Sequence, residues 1–402
     1  MEYSKLNKKP GVLDGIRIID MGHAAVGPQA GCILAQMGAD VIKVEPPTGD
    51  IIHQSPTTHK GLNTLYIVVN ASKRGVVFDL KKEKQREIFY KLIKTADAYL
   101  DNMRPDAAAR IGIDYETLKK INPCLIYVNS SGFGAKGPLS KMGSYDPYGE
   151  AFGGHASVVG APGGRPELSR MAARTDLMAA QCVANAVLIG LYVREKTGKG
   201  QKIDTSQMQS SVHAMTTRTA EYFVFGQTPK PMGNGHPSIV PSQAFKTKDG
   251  YFAVSVLEEK QWEGLCKGIA RPDLAQDHRF ASNAMRVEHR EELIRTLGEI
   301  FAGNTAENWL KLLEKQGVPC GMFLRYRDMR EDPHIMGTGM LEKLNTRWGM
   351  LTIPPIPIKF SEAPIRFVSG PAPGEHTDEI LRDLGYGPED ASRWLGPPPP
   401  QM

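Results

Sequence analysis

The 402-residue sequence predicts an α/β protein: a large Rossmann-like domain on a parallel sheet, joined to a smaller α+β domain. Three observations predict it. Short β-rich runs alternate with helix-period segments through the first half, the pattern of a parallel sheet covered by helices. After about residue 225 the alternation stops, and a hairpin followed by three helical patterns takes over. The length also exceeds what one small core needs, so two domains are expected.

The first strand is the run GIRIID at 15–20, and a small-residue helix pattern follows from Pro28 to Met37. Gly38 is a helix stop, and DVIKVE at 40–45 returns as the second strand, closing a βαβ unit of about thirty residues. Further strands are expected at 75–80, 98–102 and 125–129, with helices at 84–96 and from the N-cap Asp114 onward. Leu177, Ala180, Ala184, Val187, Leu188 and Leu191 recur at three- and four-residue steps and predict a helix behind the segment ARTDLM at 173–178. Residues 245–256 read as a hairpin turning on Asp249-Gly250. Helices are expected at 258–270, 290–302 and 305–316, strand-like pieces at 351–355 and 358–360, a short helix at 376–384, and an extended end at 396–402. The large domain is thus assigned to 1–205, completed by about 330–402; the small domain to 225–325; and linkers to 206–224 and about 326–345.

Charge and composition narrow the function. The net charge is +5 with no run of five like charges, so no nucleic-acid partner is expected, while an anionic small molecule suits the mild basic excess. The apolar stretch 179–193 is interrupted by Gln181 and Asn185 and is short for a bilayer, so no membrane partner is expected. The N-terminal segment has no apolar signal core. Five cysteines, without CxxC or metal-like His spacing, suggest reduced thiols in a cytoplasm and no metal site.

Glu45 ends the second strand where a dinucleotide-binding enzyme keeps an acid, but the preceding turn places its glycines at 22, 27 and 31. That spacing is not GxGxxG, which excludes a nicotinamide or flavin site. Neither a GxSxG elbow, an HExxH helix nor a P-loop is present. Asp176 opens an apolar helix, and spacing leaves two readings of it: an N-cap, or a carboxylate kept ionised by the helix dipole and used as a nucleophile.

Several motifs in fixed order go further: LDGIRIID at 13–20, GADVIKVEPP at 38–47, NASKR at 70–74, DNMRP at 101–105 with Arg110, GFG at 132–134, REKTGKGQ at 194–201, GVPCG at 317–321 and GEHTD at 374–378. Taken together they resemble the class III coenzyme A transferases, the family of formyl-CoA and carnitine CoA transferases, over nearly the whole chain. The resemblance implies Asp176 as nucleophile, no tightly bound cofactor, and coenzyme A or an acyl-CoA as substrate beside a carboxylic acid. It implies that His23, Ala24, Asn70, Lys73, Arg74, Asn102, Met103, Arg104 and Arg110 hold the CoA. Tyr145, Asp146, Ala25, Arg170, Arg174 and a mobile glycine segment at Gly233 and Gly235 are implied near the acyl group. It further implies an interlocked, ring-like dimer, either a homodimer or a heterodimer with a paralogous subunit.

The sequence departs from the family at Ala25, where some members have Gln, and at Pro46, where some have Arg. The nearest branch uses succinyl-CoA and includes benzylsuccinate CoA transferases, which leads to an expected aryl dicarboxylate acceptor. Two other functions stay open: an α-methylacyl-CoA racemase-type epimerase, whose family has His before Asp where this chain has Tyr145-Asp146, and a non-catalytic subunit of a heteromeric transferase.

Overall fold

The structure, a computed structural model, describes residues 10–54, 58–59, 62–169, 173–347 and 349–387. The chain divides into two compact units, one of 1–155, 168–227 and 336–402, the other of 156–167 and 228–335.

The first unit carries a six-stranded sheet. Its strands are β1 (Arg17–Asp20), β2 (Asp40–Glu45), β3 (Arg74–Val77), β4 (Ala98–Asp101), β5 (Ile126–Ser131) and β6 (Gln201–Ser206). They lie in the order β3-β2-β1-β4-β5-β6, and every pairing is parallel. This is the doubly wound order, in which the direction of winding reverses between β1 and β4. Side chains alternate across the sheet as the strand period requires. Ile18, Val41, Leu100 and Val128 join the core on one face, whereas Ile19, Ile42, Tyr99 and Tyr127 join the core on the other.

Helices α1 (Val26–Gln36) and α7 (Arg174–Thr197) cover the first face. The second face is covered by α3 (Glu83–Lys94), α5 (Tyr115–Ile121) and the helix Thr377–Asp383. Helix α7 has the length and composition to cross a bilayer, yet its stripe Ala179, Ala180, Val183, Ala184, Val187 and Gly190 is buried in the core. A side chain at Gly190 would place Cβ 2.5 Å from Ile126, so only glycine lets α7 lie this close to β5.

The remaining helices of this unit are α2 (Thr64–Val69), α4 (Pro105–Arg110), α6 (Asp146–Phe152), α8 (Gln207–Ala214) and α9 (Thr216–Phe225). The C-terminal segment closes the unit: Arg366 N donates to Gln36 O at 2.7 Å, Ile356 N to Gln36 Oε1 at 2.8 Å, and His376 N to Gly75 O at 2.9 Å.

The second unit holds an antiparallel sheet of Ser242–Lys246, Tyr251–Ser255 and Cys320–Met322, packed on Glu259–Gly268, Arg290–Phe301 and Ala306–Glu314. The hairpin turn over 247–250 matches the sequence expectation. The tail differs from it. Gly349–Ile353 pairs with Glu342–Thr346, the strand stops before Pro354, which has no N–H to offer the ladder, and 358–360 forms no strand. The extended end expected at 396–402 lies outside the described residues.

Candidate active site

Where winding reverses, the turns leaving β1 and β4 diverge and leave a crevice at their C-terminal ends, the usual ligand position in doubly wound sheets. A cleft of about 250 Å³ lies there. His23, Ala24 and Ala25 line it from the β1 turn, and Asn102, Met103 and Arg104 from the β4 turn. Ser130 and Ser131 at the end of β5, the segment 142–145, Asp176 and Gln207 also line it. Asn102 joins the two turns: its Oδ1 accepts from His23 N at 2.8 Å and its Nδ2 donates to His23 O at 2.9 Å.

The β1 turn rests on buried charge. Lys43 Nζ donates to Asp50 Oδ2 at 2.8 Å and to the Gly22 carbonyl, while Asp50 Oδ1 accepts from Ala24 N at 2.9 Å. Gly22 and Gly27 meet back to back, since a Cβ on either would lie 2.6 Å from the Cα of the other. A Cβ at Gly31 would strike Asp20 Oδ2 at 2.7 Å. The glycines that are misplaced for a pyrophosphate are thus spaced for the turn to close on α1. Burial holds the His23 imidazole below its usual range, against the opposing pull of Asp50.

Four residues expected to hold CoA do not line this cleft. Lys73 is fully buried, and its ammonium donates to Asp20 Oδ2 at 2.6 Å, Pro28 O at 2.6 Å and Asn70 Oδ1 at 2.8 Å. All three of its donors are spent. Asn70 is buried in the same knot and donates to Tyr66 O. Arg74 forks onto Asp40 at 2.9 and 2.6 Å and reaches Glu379 and Asp383 at 3.0 Å. Each cation of the NASKR segment thus already faces a carboxylate. Arg110 is exposed, pairs with Asp106 at 2.6 Å on α4, and does not line the cleft. Arg104 does line it, at the position preceding α4, with Nη1 3.3 Å from Lys141 O.

Asp176 is the third residue of α7, not its N-cap. The cap position is Ala173, at φ 58°, without a capping side chain. The cap comes from Asp146 at the start of α6, whose Oδ1 accepts from Thr175 N at 2.7 Å and from Thr175 Oγ1 at 2.8 Å. Asp146 therefore serves the helix end and also sets a negative charge beside Asp176. Burial pushes the Asp176 carboxyl up to about 7, with the Asp146 charge adding to it. Desolvation and a like charge thus act against the ionised form, which one of the two readings of Asp176 assigned to the helix dipole.

Sequence reasoning missed Gln207. It is the first residue of α8, just after β6, and its Nε2 donates to Asp176 Oδ1 and approaches Thr175 Oγ1 at 3.3 Å. Ser144 Oγ donates to the Gln207 Oε1. The one local signal is the N-cap Ser206, which bonds Gln209 N and so marks where α8 begins. Tyr145, 61% exposed, and Met142, 50% exposed, flank the mouth, and Ala25 is buried in the wall. Arg174 opens α7 but is not part of the wall. Gly233 and Gly235 belong to the second unit, where Gly233 N donates to Gly160 O at 2.8 Å. Arg170 lies outside the described residues.

Residues 13–377 match the family model described as CoA-transferase family III. The mouse succinyl-CoA:glutarate CoA-transferase is 32% identical over 92% of this chain and 86% of its own. The succinyl-CoA:mesaconate CoA-transferase of Haloarcula hispanica is 33% identical over 94% of this chain and 97% of its own. Among solved structures, a CAIB/BAIF family protein from Brucella suis superposes with a TM-score of 0.84 at 32% identity, over 94% of this chain and all of that one. A fold with its cleft at the switch point, a carboxylate in that cleft and a family match along nearly the whole length agree: the chain belongs to CoA-transferase family III and is a CoA-transferase that takes CoA thioesters as substrates.

Proposed function

We propose that this enzyme moves CoA from succinyl-CoA to a dicarboxylic acid through covalent intermediates on Asp176. The observation that carries the reading is the position of Asp176, in the wall of the switch-point cleft with Oδ1 held by the Gln207 side-chain amide. Asp176 Oδ2 attacks the acyl thioester; a C–O bond forms, the C–S bond breaks and CoA leaves as thiolate. The thiolate then attacks Asp176 Cγ, and the donor acid departs as carboxylate with Oδ2. The aspartyl-CoA thioester is attacked at Cγ by the acceptor carboxylate, which releases thiolate again. Attack of thiolate on the acceptor carbonyl then gives the new acyl-CoA and restores the carboxylate. Each step exchanges one activated acyl bond for another, so no external energy source is needed, provided water is kept out.

The succinyl donor is supported by the names of the mouse and Haloarcula relatives. An aryl-bearing acceptor of the benzylsuccinate type is supported by Ala25, which leaves room, and by Met142 and Tyr145 at the mouth. Arg104 is the cation we assign to an anionic group of CoA. The interlocked dimer is supported by the exposed apolar run Tyr222–Phe225 at the end of α9, where Phe223 is 79% exposed.

Hydroxylamine added after an acyl-CoA is expected to convert Asp176 to its hydroxamate, detected by peptide mass spectrometry. Asp176→Ala is expected to lose several orders of magnitude in turnover and still bind CoA. A panel of acceptor acids with succinyl-CoA, read as new thioesters, tests the substrate. Transfer to oxalate with none to substituted succinates rejects the acceptor and leaves the covalent route standing.

A further inference from the structure

We propose that Gln207 is a catalytic residue whose side-chain amide stabilises the oxyanion that forms on Asp176 Oδ1. The inference rests on the covalent reading above and follows from which oxygen the amide holds.

In that reading Cγ of Asp176 is attacked twice, first by CoA thiolate on the mixed anhydride and then by the acceptor carboxylate on the thioester. Both attacks convert the Cγ=Oδ1 double bond into a single bond and place the negative charge on Oδ1. Collapse re-forms that double bond and expels the donor carboxylate in the first case and CoA thiolate in the second. Oδ1 thus remains on Asp176 throughout each of these steps, while the other position on Cγ is exchanged. The Gln207 Nε2–H donor is on Oδ1, so it meets the oxygen whose charge grows most at both transition states. A donor placed in advance where charge develops is the usual device for stabilising acyl-transfer intermediates.

The amide is fixed in the orientation this task requires. Ser144 Oγ donates to Oε1 on one side. On the other, the Thr175 hydroxyl gives its proton to Asp146 Oδ1 at 2.8 Å and so faces Nε2 as an acceptor, at 3.3 Å. A flipped amide would set Oε1 against both Asp176 Oδ1 and Thr175 Oγ1; the Ser144 hydroxyl, which can donate or accept, anchors the amide in place while those two contacts set its orientation. Gln207 is 4% exposed, so water competes poorly for its donor, and the bond is worth more than it would be in solvent. Its place at the first position of α8, directly after β6, ties it to the sheet rather than to a loop.

The test uses the full-length enzyme with one acyl-CoA and acid pair. Gln207→Leu is expected to lower kcat about 10²–10³-fold. The KM for acyl-CoA, the affinity for CoA and the melting temperature should stay near wild type, a split that a merely structural side chain would not give. Rapid-quench mass spectrometry should show the aspartyl-CoA adduct forming correspondingly slowly. If Gln207→Leu does not fold, Ser144→Ala replaces it: the donor is kept but its amide is free to turn, and a loss of about tenfold in kcat is expected. Wild type that forms the Asp176 adduct beside a variant within threefold of its kcat overturns this inference alone. Wild type that forms no adduct overturns the covalent reading, and this inference with it.

Discussion

Asn102 grips the backbone of His23 on both sides, accepting from its N–H at 2.8 Å and donating to its carbonyl at 2.9 Å. Two loops from neighbouring strands, 79 residues apart in sequence, are thereby fixed as one wall of the cleft. Asn102→Ala removes both bonds and leaves two backbone groups to find water. The expected result is a rise in the KM for acyl-CoA of about tenfold, the equivalent of roughly 1.4 kcal/mol, with a smaller change in kcat. Steady-state kinetics at saturating acid checks it.

Asp176 must be ionised to attack, and burial with the Asp146 charge raises its carboxyl to about 7. Below that pH the nucleophile is increasingly protonated. The kcat/KM for acyl-CoA should therefore fall about tenfold per unit as pH drops below 7, and level off above it. Asp146→Asn keeps an oxygen to cap α7 while removing the charge, so its acid limb should move to lower pH. A limb that stays in place or moves upward would show that Asp146 does not set the ionisation of Asp176.

The same shift sets a stability trend. The folded state holds the Asp176 proton more tightly than the unfolded chain does. Its contribution is therefore complete below pH 4 and is lost as pH rises through about 7. Above 7 the folded protein carries a partly desolvated charge. Asp176→Asn should then melt about 2–4 °C above wild type at pH 8, with the difference shrinking towards pH 5, although the variant is inactive. Differential scanning calorimetry across that range decides it.

Lys73 and Arg104, both expected from the sequence to hold CoA, should separate cleanly. Lys73→Ala leaves Asp20 as an uncompensated charge in the core and should cost about 3–5 kcal/mol in urea unfolding. Arg104→Ala removes a cation from the cleft wall and should raise the KM for acyl-CoA about tenfold with an unchanged urea midpoint.

The strands were legible because a parallel sheet buries both faces, which sets apolar β-formers side by side, as in Ile18-Ile19 of β1, Val41-Ile42 of β2 and Ile126-Tyr127-Val128 of β5. The α7 stripe was legible because its period follows from helix geometry. Asp176 was found through the resemblance, since an Asp in the first turn of a helix has the same spacing whether it caps or reacts. The partners of Lys73 and Arg74 were hidden for a related reason. A sequence shows a cation but not the carboxylate opposite, and Asp20, Asp40 and Asp383 reach them only across the fold. Beyond the N-cap Ser206 that marks the start of α8, nothing in the sequence pointed to Gln207 or Ser144. They lie 63 positions apart, and Gln207 meets Ser144 and Asp176 only once β6 has brought the start of α8 beside α7.

The unit with the sheet is assembled from three stretches of chain, the last of which begins at residue 336. Ribosomes deliver the chain in order, so the first five strands emerge long before the segment that bonds Gln36, Ser72 and Gly75. For some ten seconds or more of synthesis the nascent sheet waits with that flank open, a state in which a trigger-type chaperone has something to hold. The second unit, drawn mostly from one continuous stretch, can be finished first. A translation stop between 336 and 355, before Ile356 and Arg366 can reach Gln36, should therefore yield a protein whose late-made unit resists protease while its early-made sheet does not.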